Sequence, residues 1–164
     1  MMELVSEAIA FAVKAHDGMR RKKNEAPYIL HPMEAAVIVG TMTNDQNLLA
    51  AAALHDVVED ADITLEEIEE KFGRRVRELV ESETENKRAD LPPTATWRIR
   101  KEESLEVLKN TEDPAVLMVW LGDKLANMRA IYRDFKEEGE AMWQRFNQKD
   151  PAQQAWYYRS IVTL

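Results

Sequence analysis

Apolar residues recur at three- and four-residue spacing through most of this chain, the repeat of helices that bury one face. Leu4, Val5, Ala8, Ile9, Ala12 and Ala15 form the first such stripe and predict a helix ending near Asp17-Gly18. A polar, basic loop continues to about Leu30. His31-Pro32 opens the next helix, with proline in the first turn where its missing N–H costs nothing, and that helix runs to about Met42. Asn44 or Asp45 caps a third helix over 46–59. Thr64 and Glu67 make a capping-box pattern for a short helix ending at Phe72-Gly73, and another passes through Leu79-Val80 to about Thr84. Residues 85–93 read as a loop. Helices follow near 95–110, 114–135, 140–147 and 151–163, two of them opened by Asp113-Pro114 and Asp150-Pro151. Strand patterns are nearly absent, so the expectation is a single all-α domain over 1–164, a bundle of eight to nine helices.

Composition narrows the class. With 164 residues, 45% of them hydrophobic, the chain can build one core, which excludes intrinsic disorder. The absence of cysteine excludes disulfides, thiolate metal sites and thiol nucleophiles. Twenty-two Lys and Arg against 30 Asp and Glu leave a net charge of −8, which argues against nucleic acid as a partner. No stretch approaches the ~20 apolar residues of a membrane span, and the start MMELVSEAIAF lacks the basic residues of a signal peptide. A cytoplasmic protein without a membrane partner is expected.

The informative chemistry is charge set inside apolar sequence. From Leu48 to Val58 every residue is apolar except His55 and Asp56. A helix apolar on all sides is buried, and buried ionisable groups need compensation. A divalent metal supplies it, since imidazole nitrogen and carboxylate oxygen are ordinary ligands; a hydrogen-bonded His–Asp pair is the alternative for this segment alone. A second apolar helix, 115–129, is interrupted by Asp123 and Asn127, which share a face at i and i+4. His31 is a third polar insertion, after Tyr28-Ile29-Leu30. His31, His55, Asp56 and Asp123 together form an H…HD…D set able to hold one metal with positions left for water and substrate. Glu59 and Asp60 stand four residues beyond His55 and Asp56, either as acceptors for a proton from attacking water or as a solvated helix end.

Lys14, Arg20, Arg21, Lys22 and Lys23, less Asp17, place a local charge of +4 in residues 14–23, while the rest of the chain carries −12. This run is suited to clamping phosphate near His31, or is a solvated basic loop. His16 reads as a helix-end or supporting residue rather than a ligand. Trp143, Phe146, Trp156, Tyr157 and Tyr158 read as helix packing.

The stretches HDGMRRKKNEAPYILHP (16–32), AAALHDVVEDADITLEEIEEKFG (51–73) and GDKLANMR (122–129) resemble the HD-domain metal-dependent phosphohydrolases. The likeness is to the hydrolase domain of the RelA/SpoT family and to the single-domain small alarmone hydrolases, including metazoan SpoT-like enzymes. It covers most of 1–85 and 112–133; residues 134–164 match less well. The resemblance implies an all-helical HD fold and one Mn²⁺ on His31, His55, Asp56 and Asp123. It also implies a Glu59–Asp60 pair that activates water, with Arg21, Lys22 and Asn127 near the nucleotide. The implied reaction removes pyrophosphate from the 3′ position of guanosine-3′,5′-bis(diphosphate). Some animal relatives act instead as NADPH 2′-phosphatases, and a catalytically silent nucleotide-sensing module is a third reading. This sequence departs from the family pattern at three places. The loop before Pro27 is one residue longer, which lets Lys23 take the role of Lys22. Ser82 and Glu83 replace a Gly-Val pair, and Ala130 stands where many relatives carry Thr. These departures spare the metal set and fall on the substrate pocket.

Overall fold

The computed structural model describes residues 1–22 and 25–164. In chain order the helices are α1 (Leu4–Ala15), α2 (Leu30–Gly40), α3 (Gln46–Leu54), α4 (Val57–Asp60), α5 (Leu65–Phe72), α6 (Arg74–Glu83), α7 (Pro93–Asn110), α8 (Pro114–Glu138) and α9 (Pro151–Val162). The all-α class read from the sequence holds. Its one extended feature among the described residues is an isolated antiparallel bridge between Arg20 and Pro27, which closes the basic loop on itself. None of these helices is long and apolar enough to cross a membrane.

The sequence signals placed most ends correctly. Asp45 caps α3 by accepting from the Asn47 amide at 2.9 Å. Thr64 and Glu67 close both halves of a capping box. Two expectations change. The helix expected over 46–59 breaks after Leu54 and restarts at Val57, with His55 and Asp56 in the turn between. Residues Gly139–Arg145 wind as a 3₁₀ segment rather than an α-helix.

The chain forms two compact units, 1–84 with 113–129, and 85–112 with 130–164. In the first, α3 is the centre, packed by α1, α2 and α6, while α5 packs on α6. Ala50, Ala51, Ala52, Ala53 and Leu54 are all buried, and their small side chains let three neighbours approach one helix. In the second unit, α7 packs on α9. Trp97 meets Trp156 and Tyr157 edge-on at 6.3 and 6.2 Å, and Arg98 lies over Trp156 at 3.3 Å. The aromatic residues of this region therefore pack against helices and cations.

Gly122 sets the approach of α8 to α2. A Cβ at this position would lie 2.7 Å from Val39 Cγ2 and 2.9 Å from the Ala35 carbonyl oxygen. The valine can rotate, but a helix backbone cannot give locally. Overpacking of this kind costs about 1–3 kcal/mol, against a gain of at most about 1 kcal/mol for alanine over glycine in a helix. Gly122→Ala is expected to lower the urea midpoint of the metal-free protein; an unchanged or higher midpoint would show that the helices are not in tight contact here.

Candidate metal centre

Every candidate metal and catalytic residue lies in the first unit. The break between α3 and α4 explains how one chain segment turns two neighbouring side chains to the same point. His55 ends α3, and its Nδ1–H donates to the Ala52 carbonyl at 2.7 Å, which leaves Nε2 facing inward. Asp56 follows in the turn. His31 sits in the first turn of α2, and Asp123 in the middle of α8, beside the close approach that Gly122 permits.

The side chains converge. His31 Nε2 lies 2.9 Å from Asp123 Oδ1 and 3.6 Å from Asp56 Oδ2. His55 Nε2 lies 3.0 Å from Asp56 Oδ2, 3.2 Å from Asp123 Oδ1 and 3.3 Å from His31 Nε2. His31, His55 and Asp123 are buried and offer ligand atoms within 4.8 Å of one another, a group able to hold a metal ion. Those two imidazole nitrogens and the Asp123 oxygen fit a divalent cation of the N/O-binding class; Asp56 is not one of the three, but its Oδ2 lies against both imidazoles. A simple His–Asp pair would need neither a second histidine at 3.3 Å nor a second carboxylate.

Electrostatics reach the same conclusion from the metal-free side. Burial works to lower the His55 pKa, but the Asp56 and Asp123 charges outweigh it and hold the imidazolium well above its ordinary range. Burial works to raise Asp123, yet Lys124, His55 and the bond to His31 keep its carboxyl well below the usual range. Asp56 is likewise driven down, against burial, chiefly by His55. A shared positive charge therefore already belongs at this point. Outer contacts orient the donors, as is usual around metal ligands. Lys124 Nζ lies 2.7 Å from Asp123 Oδ2, and Asn127 Nδ2 donates to Asp123 Oδ1 at 3.2 Å.

The other candidates distribute as follows. Glu59 is half-buried and Asp60 exposed on α4, one turn from the donors, and the Asp60 amide bonds the Asp56 carbonyl at 2.9 Å. Arg21 is half-buried with its guanidinium 5.8 Å from the Tyr28 ring centre, and Lys22 is exposed. Lys23 lies outside the described residues.

Three groups near the centre were not among the candidate site residues of the sequence reading. Tyr28 counted there only as part of an apolar run, yet its hydroxyl donates to Asp56 Oδ2 at 2.6 Å. His16 is buried beside Tyr28, ring centres 5.2 Å apart. Glu83 is buried, with no hydrogen-bond partner for Oε1 among the described residues. Its replacement of an apolar residue in the family pattern was the available signal.

Glu83 carries a stability prediction. Burial, followed by repulsion from Asp123, raises its pKa well above the ordinary 4.5. A raised acid is neutral in both states below its unfolded pKa and costs nothing there. As pH climbs toward the native value, only the unfolded chain ionises, and stability falls. Glu83→Gln removes that dependence. In metal-free protein, the Tm advantage of E83Q is expected to grow from pH 4.5 to pH 8; a pH-independent difference would refute it.

A family model described as an HD domain matches residues 8–152. The chain is similar to the guanosine-3′,5′-bis(diphosphate) 3′-pyrophosphohydrolase of Aquifex aeolicus, 37% identical over 136 residues, and to the putative GTP diphosphokinase RSH1 of Oryza sativa, 38% identical over 137. These alignments cover 83% and 79% of this chain but only 19% and 15% of the relatives, so the chain spans less than a fifth of their length. Among solved structures, a metazoan ortholog of SpoT that hydrolyzes ppGpp superposes with a TM-score of 0.72 at 29% identity, covering 91% of this chain and 84% of that one. The protein lmo0812 of Listeria monocytogenes EGD-e superposes at 0.70 with 30% identity, covering 80% of each.

Proposed function

This chain belongs to the HD-domain family, and from that premise we propose that it is a metal-dependent phosphohydrolase acting on guanosine-3′,5′-bis(diphosphate) in the cytoplasm. It releases pyrophosphate from the 3′ position and leaves a free 3′-hydroxyl. The observation that carries the reading is the buried group of His31, His55 and Asp123, with Asp56 Oδ2 against both imidazoles and Glu59 and Asp60 one helical turn further along the chain. The names of the Aquifex and metazoan relatives supply the substrate.

His31, His55, Asp56 and Asp123 would hold the ion, for which we propose Mn²⁺, the metal that the family resemblance implies; imidazole and carboxylate donors without thiolate suit a divalent ion of the N/O-binding class. When bound, it supplies Lewis-acid polarisation of a phosphoryl oxygen and acidifies nearby water. Glu59 and Asp60 orient the attacking water and take its proton. Arg21, Lys22 and Lys23 neutralise the phosphate oxygens as charge shifts toward the leaving group. Asn127 steadies Asp123 and faces the nucleoside. Tyr28 keeps Asp56 turned toward the donors.

The test is a panel assay of Mn²⁺-loaded protein on ppGpp, NADPH and simple nucleoside polyphosphates, scoring pyrophosphate against orthophosphate. Pyrophosphate from ppGpp is the expected result. Orthophosphate from NADPH would replace it with the phosphatase reading. No turnover of any member would leave a nucleotide-sensing module.

A further inference from the structure

His16 terminates α1, and nothing in the proposed chemistry uses it. Its surroundings are nevertheless tightly built. Its backbone amide bonds the Ala12 carbonyl at 2.9 Å, and its ring Nδ1 bonds the same oxygen at 3.1 Å. A carbonyl only accepts, so Nδ1 carries the proton and Nε2 is the functional end. The side chain is fully buried, and Nε2 has no hydrogen-bond partner among the described residues. An imidazole nitrogen buried without a partner is costly and calls for an explanation. The acid it faces is Asp60, whose Oδ2 lies 3.8 Å away and whose side chain is one-third exposed. The Tyr28 ring stacks beside His16 while its hydroxyl bonds Asp56, so the imidazole cannot swing away without disturbing a proposed ligand.

We propose that His16 is a positioning residue that fixes the Asp60 carboxyl for water activation. The ring is enclosed and the Asp60 side chain is partly exposed, so a small rotation of Asp60 would close the gap. When Asp60 takes the proton of the attacking water, its carboxyl O–H donates to Nε2, the accepting end of the ring, and the acid is held in the orientation in which it received that proton. The inference rests on the role proposed above for Asp60.

Two substitutions separate the two ends of the ring. The amide of His16→Asn reaches only as far as Nδ1 and keeps the bond to Ala12. That of His16→Gln reaches the place of Nε2 and keeps the contact with Asp60. With Mn²⁺-loaded protein and ppGpp, H16N is expected to lower kcat about tenfold or more with KM within about threefold, the pattern of a misplaced group rather than lost binding. H16Q should recover kcat to within about threefold of the parent, and H16N should add nothing on top of D60N. A structural role alone reverses the order, with H16N the milder change. Wild-type kcat in H16N, or equal losses in H16N and H16Q, would overturn the proposal.

A second readout needs neither turnover nor an altered histidine. In ¹⁵N-labelled metal-free protein, D60N is expected to shift the His16 Nε2 resonance, whereas E59Q leaves it in place. An Nε2 signal indifferent to D60N overturns the contact itself. If D60N shifts that resonance but retains full kcat, the contact stands and the role of Asp60 in the reaction is what fails.

Discussion

Asp56→Ala is expected to yield a folded protein that retains less than about a tenth of an equivalent of divalent ion and hydrolyses ppGpp at least about 10³-fold more slowly, since one residue both ligates and organises the site. The loss reaches beyond one ligand. Asp56 Oδ2 faces His55 Nε2 at 3.0 Å and His31 Nε2 at 3.6 Å, and accepts the Tyr28 hydroxyl at 2.6 Å. Removing it strips His55 of the nearest of its two carboxylates and leaves the Tyr28 hydroxyl without this acceptor. Breaking a buried charged pair by deleting one member costs about 3–5 kcal/mol, so a lower thermal midpoint accompanies the loss. Asp56→Asn separates the effects, because it keeps the shape and an acceptor for Tyr28 while removing the charge. Elemental analysis of dialysed protein, run beside the pyrophosphate assay, gives the answer. Stoichiometric metal in D56A, or turnover within about tenfold of the parent, would remove Asp56 from the centre.

The site was more legible in the sequence than the turn that builds it. His55 and Asp56 stand out because the other nine residues of 48–58 are all apolar, and the burial of His55 could be read from that alone; Asp56 is half-buried. The same uniform apolarity hid the break after Leu54. With no Gly or Pro to announce it, and Asp56 opening α4 without a side-chain cap bond, helix periodicity runs on through 59, yet α3 stops at Leu54. His31 and Asp123 were visible as polar interruptions, but their pairing at 2.9 Å depends on α2 and α8 meeting over Gly122, a contact 92 residues apart in sequence. Tyr28 was not legible as part of the site, and His16 only as a helix-end or supporting residue. A tyrosine in an apolar run and a histidine at a helix end are ordinary, and only the fold shows what their polar ends face. Glu83 was visible as an oddity, an acid at an apolar position, without any indication that it lies within the field of Asp123 and Lys124.

Glu59→Gln is expected to leave the metal content at the parent value while kcat falls about 10²–10⁴-fold, the range for loss of a general base. The argument begins with α4, four residues long, which starts directly after Asp56. A helix so short has no core-facing stripe to maintain, and Glu59 and Asp60 occupy half of it. Glu59 lies one turn from His55 and is half-buried, a position from which the proposed mechanism has it act on water without holding the ion. Glutamine preserves its size and hydrogen bonding but cannot take a proton. If Glu59 acts only in the transition state, kcat and kcat/KM fall together and KM stays near its parent value. A rise in KM with kcat intact would instead make Glu59 a substrate contact. Loss of metal along with turnover would make it part of the ion's holding set. Unchanged turnover would mark it as a solvated acid at a helix end, and proton transfer would then rest on Asp60, the acid that His16 faces.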